Sequence, residues 1–232
     1  MVDALVEACA LSPDVDPPYS QSMNLETVET FGFRRGEGRL LLIACGALAT
    51  EIVTLIEANQ WAMFDLACLP AKLHNHPEMI PEAVREKIRE ARGAYENIFV
   101  LYGDCGTGGL LDRVVEEEGV ERIPGPHCYS FFTGNDLFAG REDADFRSFY
   151  LTDYLARHFD KLVWEGLGLD RHPELLPLYF GNYEKVIYLA QVNDPGLDAR
   201  AETAAKRLGL GYERRFTGYG DMDGFLRART SG

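Results

Sequence analysis

A cysteine stands inside a glycine-rich turn in the stretch LYGDCGTGGLLD, Leu101–Asp112, with an apolar run before it and a helix-like run after it. Glycine-rich turns between a strand and a helix commonly hold phosphate on their backbone N–H groups. This turn lacks the GK[ST] of a Walker loop and the spacing of a GxGxxG dinucleotide loop, and Asp104 would repel phosphate. A helix N-terminus also lowers the pKa of a nearby thiol. Cys105 therefore reads first as a reactive thiol. A cofactor-binding cradle of Gly103, Gly106, Thr107 and Gly108 is the second reading.

The other cysteines and histidines sharpen that reading. Cys45 is followed by Gly46, and Cys128 follows His127 in GPHCY. Thiols beside glycine or histidine in turns matter through reactivity, whereas Cys9 and Cys68, among apolar or small neighbours, read as buried filler. LPAKLHNHPE adds His74 and His76, which read equally as ligands or as a polar surface pair. His158 and His172 stand in helical or pre-proline contexts and read as structural. Soft thiolates select zinc or iron, so Cys45, Cys105 and Cys128 with His74 form a candidate metal-ligand set, His127 being an alternative fourth ligand. No CxxC pair is present, so these ligands must converge from separate loops. Without a metal, Cys105 would be the nucleophile, His127 its activating base and Asp104 the adjoining carboxylate, with glycine-turn N–H groups as an oxyanion hole.

Convergence requires a scaffold. RLLLIAC, AMFDLACLP, NIFVLYG and KVIYLAQ are apolar runs of strand length, the pattern of strands buried on both faces. Parallel strands are expected at about 39–45, 62–68, 97–102, 184–190 and 210–216, with a short one in VERIPG. Between them lie ALATEIVTLIEANQ, Pro81 to Arg92, Gly109 to Glu118 and GLDARAETAAKRLGL, all with helical spacing. Alternating strands and helices imply an α/β fold: a doubly wound, mostly parallel, Rossmann-like three-layer sheet. Such sheets carry ligands beyond the carboxyl ends of their strands, where Cys45, Cys68, Cys105 and Cys128 and His74, His76 and His127 would gather. HCYSFFTGNDLF reads as an aromatic loop. Residues 1–38, broken by Pro13, Pro17 and Pro18, read as an N-terminal extension to a single domain over 39–232. A helical insertion at about 146–183 is expected to pack over or beside the strand ends, first as a cap that extends the core and alternatively as a lid with Arg171 and His172 reaching in.

The 232 residues carry a net charge of −14, which disfavours nucleic acid, and the basic pairs Arg34–Arg35 and Arg214–Arg215 are isolated. No apolar run has the length of a membrane span, and the acidic N-terminus is unlike a secretory signal. Five dispersed cysteines suit a reducing compartment, so a cytoplasmic location is expected.

The stretches IACGAL, LPAKLHNHPE, LYGDCGTGGLLD, ERIPGPHCYSFFTG, the long segment FYLTDYLARHF through to VIYLAQ, and TGYG together resemble domain-of-unknown-function family 1638, over roughly Leu40 to Tyr219. Some relatives stand among genes of corrinoid-dependent methyl transfer and one-carbon metabolism. Among the chemistries that the cysteine edge permits, the resemblance favours methyl transfer, so a metal–thiolate enzyme of thiol- or corrinoid-linked methyl transfer is expected. A metal-free Cys/His nucleophilic enzyme and a non-catalytic cofactor-binding accessory protein are the alternatives. The implied partners are a small-molecule substrate, corrinoid or folate reached through a partner, other methyl-transfer proteins, and a second copy of the chain. Under the metal reading, serine at Cys45, Cys105 or Cys128 should strip the metal or abolish activity, whereas Cys9→Ser should do neither. Metal content and activity of the four single variants check this.

Overall fold

The computed structural model describes residues 31–33, 39–140 and 143–230. Cys9, the three N-terminal prolines and the Arg34–Arg35 pair lie outside the described residues. Where a single domain was expected, the chain divides into two compact units. One holds the described residues up to Cys128 and from Phe225 onward, the other Tyr129–Gly224.

The first unit is built on a five-stranded sheet of β1 (Phe31–Phe33), β2 (Leu40–Cys45), β3 (Phe64–Leu69), β4 (Asn97–Leu101) and β5 (Glu121–Arg122), in the order β1-β3-β2-β4-β5. All neighbours are parallel except β1, which pairs antiparallel at the edge of β3. β2 is central because LLLIAC is apolar on both faces; Leu42, Ile43 and Ala44 have no exposed surface. Helix α1 (Ala49–Ala58) buries Ile52, Leu55 and Ile56 at the expected helical spacing. Helix α2 (Ile80–Ala91) packs on β2 and β4 and beside α3 (Leu110–Glu117). Pro81 sits in the first turn of α2, where its missing N–H is harmless. The buried Glu118 carboxylate gathers Arg85, Arg89 and Arg92, joining α2 to the end of α3. From β2 the chain crosses one way to β3 and the other way to β4, so the winding reverses between the carboxyl ends of β2 and β4. That reversal is where open α/β sheets form their ligand crevice.

The second unit carries a separate, wholly parallel three-stranded sheet of β6 (Ser148–Thr152), β7 (Lys185–Ala190) and β8 (Gly211–Phe216), with β7 in the middle. The expected α/β class with mainly parallel strands is observed, distributed over two sheets. Two local readings change. Ser148–Thr152 is a strand where a helix was expected, because SFYLT can pair along β7 and buries Ser148, Leu151 and Thr152. The expected aromatic loop instead forms helices α4 (Cys128–Thr133) and α5 (Asn135–Ala139), with Phe131, Phe132 and Phe138 buried. Helix α6 (Asp143–Phe146) follows.

Thr152 caps α7 (Asp153–Arg157) by accepting a hydrogen bond from the Leu155 N–H. After a π-helical turn at Asp160–Glu165 comes α8 (Leu176–Phe180). Asp194 caps α9 (Pro195–Leu208), which ends at left-handed Gly209, φ +72°. Helix α10 (Asp221–Arg227) follows β8. The core of this unit packs Leu151, Phe159, Val163 and Tyr188 against the apolar face of α9.

Asp153 is the buried polar keystone of this sheet. Its Oδ1 accepts from the Tyr188 hydroxyl at 2.6 Å and the Gln191 N–H at 3.2 Å, and its Oδ2 from the Val192 N–H at 3.0 Å. Its own N–H donates to the Gln191 side-chain oxygen at 2.7 Å. Truncation would strand several buried donors together. Asp153→Ala should therefore cost about 3 kcal/mol in urea unfolding, whereas Asp170→Ala, at an exposed position, should stay within about 0.5 kcal/mol of the parent.

Candidate functional site

The carboxyl edge of the first sheet holds the thiols. In the strand register Cys45 stands opposite Leu69, and Ala44 opposite both Cys68 and Leu101. The chain leaves β4 through Tyr102 and Gly103 into Asp104–Gly109, and leaves β5 through Gly125 and Pro126 into His127 and Cys128. Two backbone hydrogen bonds tie these exits together, from Asp104 N–H to the Gly125 carbonyl at 3.0 Å and from Cys105 N–H to the Pro126 carbonyl at 2.9 Å. A Cβ on Gly103 would lie 2.7 Å from the His127 backbone, so only glycine allows this approach.

That approach brings two cysteines together. The Cys105 and Cys128 sulfurs lie 3.3 Å apart, at hydrogen-bond distance for thiols and closer than the roughly 3.7 Å that two sulfurs keep around a tetrahedral zinc ion. Either sulfur can donate in this geometry; with Cys128 donating, its hydrogen bond is the main cause that holds the Cys105 pKa below the ordinary thiol value. Burial works against it, and N–H groups of Cys128 and Gly103 support it. Cys128 is correspondingly pushed up by its bond to Cys105 and by burial. Cys105 also has φ +48°, the left-handed region, which costs a non-glycine residue on the order of 1–2 kcal/mol. Such strain persists where the surroundings enforce it, here through the bonded loop exits.

Cys45 behaves differently on the same edge. Burial pushes its thiol up to about 12, so it is protonated, and its neighbour is the fully buried Tyr102 phenol. Tyr102 is itself pushed well up by burial and, after that, by its electrostatic coupling to Cys45, Cys128, Cys105 and Cys68 around it. None of these four cysteines is in a disulfide. Cys68 is fully buried within β3, in keeping with a packing role.

His127 and His74 meet edge to face, ring centroids 5.2 Å apart. Burial, followed by His74, lowers His127 to about 3 against the opposing influence of Asp104, and burial lowers His74. Both are neutral imidazoles at pH 7, and the group placed on the Cys105 sulfur is the Cys128 thiol. His76 pairs with Glu78 at 3.4 Å, while in the second unit the exposed His172 pairs with Glu174 and the exposed Arg171 neighbours Asp170.

Asp104 occupies the glycine turn itself. Its Oδ1 accepts from the Thr107 hydroxyl and the Gly109 N–H, each at 2.7 Å, and its Oδ2 from the Gly108 N–H at 3.2 Å. Burial pushes this carboxyl up, but hydrogen bonds from Thr107, Gly109, Gly108 and Gly106 outweigh it and hold the pKa below the usual range. The turn thus binds the chain's own carboxylate where an anionic ligand or an oxyanion was expected. Among the described residues, no three His, Cys, Asp or Glu side chains are gathered as a metal-binding group.

The family described as "Protein of unknown function (DUF1638)" matches residues 68–226. The chain belongs to this family. The match takes in Cys68, the glycine turn, His127 and Cys128 and leaves Cys45 outside. No curated protein and no solved structure matches the chain. Among the described residues no helix is long and apolar enough to cross a membrane.

Sequence reasoning found both members of the dithiol but missed their direct pairing, and it missed Tyr102. The signal for Tyr102 was its place directly after β4, level with the cysteine edge. Alkylation by iodoacetamide, followed by peptide mass against pH, should find Cys105 reacting with a midpoint below 9.0, its ordinary value, while Cys45 stays silent. Cys128→Ala deletes the principal hydrogen bond to the thiolate, so the midpoint should move up and the rate at pH 7 fall about tenfold. Gly103→Ala should raise the midpoint likewise, by forcing the two loop exits apart.

Proposed function

We propose that this chain is a thiol-dependent transferase in which Cys105 accepts and passes on an alkyl group, the methyl group being the one its family resemblance favours. The observation that carries the reading is the Cys105–Cys128 pair: sulfurs 3.3 Å apart, with one thiol donating to the other. A thiolate is the nucleophilic form of cysteine, and a neighbouring donor keeps it available near neutral pH.

The turn supports alkyl over acyl transfer. Acyl transfer develops charge on a carbonyl oxygen and needs N–H donors aimed at it. Here the amides of Gly108 and Gly109 are committed to Asp104. Displacement at a methyl carbon builds no oxyanion and needs only an in-line nucleophile. The Cys105 sulfur attacks the methyl carbon of the donor; the S–C bond forms as the bond to the donor breaks, and the donor leaves with that electron pair. Cys128 keeps its proton throughout. In the second step an acceptor thiolate attacks the same carbon, the S–C bond breaks, and Cys105 departs with the electron pair into the hydrogen bond from Cys128. Neutral His127 and His74 border the site without adding a charge for the leaving group to meet.

The metal–thiolate reading has one observation in its favour. Cys45, Cys68, Cys105 and Cys128 all stand close enough to act on Tyr102, a density of soft donors that suits zinc or iron. In their present arrangement Cys105 and Cys128 supply two ligands, and Cys45 is a neutral thiol that would have to lose its proton and approach. A cytoplasmic setting, where thiols stay reduced, fits both readings, as does a corrinoid- or folate-bearing partner as donor or acceptor.

The test is intact-protein and peptide mass spectrometry after exposure to a methyl sulfonium donor, with metal content measured on the same preparation. The mass of one methyl group on Cys105, absent in Cys105→Ser and retained in Cys45→Ser, is the expected result. No adduct on Cys105, or stoichiometric metal lost together with activity in Cys45→Ser, overturns it in favour of the metal centre.

A further inference from the structure

The second unit holds a cavity of about 260 Å³ between the end of α7, Phe159–Asp160 and one face of α9. Arg157 and Arg200 line it, and among the described residues neither side chain has a hydrogen-bond or carboxylate partner. We propose that this cavity is a binding site for a small phosphate monoester, a function separate from the thiol chemistry above.

Unpaired arginines are unusual in a chain of net charge −14. Elsewhere in the same unit Arg147 pairs with Glu184, Arg214 with Asp198, and Arg215 with Asp145 through two bonds of 2.7 and 2.9 Å. Two guanidinium groups left without carboxylates on one cavity are therefore a local departure from the pattern. A third, Arg207, lies with its guanidinium 3.8 Å from the Trp164 ring centroid and pairs with Asp160, so the carboxylate on the cavity rim is already neutralised.

The uncompensated charge is felt by a neighbour. His158 is half-buried, its ring 4.7 Å from that of Tyr154. Burial lowers its pKa first, and Arg157, Arg200 and Lys161 lower it further. The chemistry of the lining selects the ligand. Guanidinium groups match phosphate oxygens in geometry, and two unpaired cations suit a dianion better than a single carboxylate. Ala156, Phe159 and Ala204 are buried and give the cavity an apolar floor for an organic body. The volume falls just under the roughly 300–1,000 Å³ of drug-sized sites, so the ester is small. Thr203 lines the cavity, but its hydroxyl donates to the Ala199 carbonyl at 2.7 Å, leaving recognition to the arginines.

His158 reports on the site. A bound anion offsets the positive field, so the His158 pKa must rise on binding; removing either arginine must raise it without ligand. The experiment is NMR titration of the full chain with phenyl phosphate, inorganic phosphate, benzoate and phenol, following the His158 ring. Phenyl phosphate should saturate, bind more tightly than the other three, and raise the His158 pKa. Arg157→Gln and Arg200→Gln should each weaken it about tenfold, whereas Arg171→Gln, outside the cavity, should leave it unchanged. Unchanged urea midpoints in the variants confirm that they fold. Absence of saturation, equal binding of benzoate, or undiminished binding in both cavity variants overturns the proposal. Cys105→Ser should bind phenyl phosphate as the parent does, which separates this result from the fate of the thiol mechanism.

Discussion

The thiol site depends on the close approach of two backbones, Gly103 leaving β4 and His127 leaving β5. A Cβ on Gly103 would lie only 2.7 Å from His127, so the contact admits no side chain, and the two hydrogen bonds from Asp104 and Cys105 to Gly125 and Pro126 hold it closed. Everything chemical at this edge follows. The approach brings the Cys128 sulfur to 3.3 Å from that of Cys105 and coincides with the left-handed backbone of Cys105. It also leaves Asp104 free to fold back on its own turn. The backbone strain at Cys105 is offset by bonds that a relaxed turn would forfeit, which is how a packed scaffold maintains a residue in an unfavourable conformation.

The same scaffold explains why the site lies where it does. β2 is apolar on both faces and becomes the sheet centre, and the chain winds away from it in opposite directions to β3 and β4. Loops at the carboxyl ends of β2 and β4 therefore diverge and leave a crevice between them. Cys45 and the Tyr102–Gly109 segment border that crevice because of strand order alone. The C-terminal segment reinforces this unit: Phe225 meets Phe99 edge-on at 6.3 Å, and the Arg229 guanidinium lies 3.4 Å from the Phe225 ring centroid.

Much of this was legible in the sequence because strong periodicity leaves few alternatives. The five long strands and the helices following β2, β3, β4 and β7 fall within a few residues of their expected places, since continuous apolar runs and helical spacing report burial directly. Ser148–Thr152 escaped because SFYLT is short, and its strand character comes from pairing with β7, a non-local partner. The two sheets were read as one because strand patterns do not encode which strands share a ladder. The cysteine edge was legible from strand ends. The function of Asp104 was not, because a carboxylate that folds back on its own turn has the same sequence as one aimed at a ligand. Nor does sequence reveal the unpaired arginines of α7 and α9, because pairing is a property of three-dimensional neighbours.

Cys45 and Cys105 show what turns a thiol into a reagent. Both end up buried on one edge, and burial alone raises a thiol's pKa, as it does for Cys45, pushed to about 12. Cys105 escapes that outcome by gathering donors: the Cys128 thiol and the N–H groups of Cys128 and Gly103 outweigh burial and the charge of Asp104. Two of those donors come from the β5 exit, across the Gly103 contact. The distinction between a thiol whose pKa is raised and one whose pKa is lowered is thus a matter of loop geometry more than of exposure. It also bears on specificity, because the donors that lower the Cys105 pKa are neutral, so its ionised form would carry a negative charge without a cationic partner among them. Under the alkyl transfer proposed above, such a site would favour an electrophile that brings positive charge or a neutral leaving group, as a methyl sulfonium does, over an anionic donor that would meet both the thiolate and Asp104.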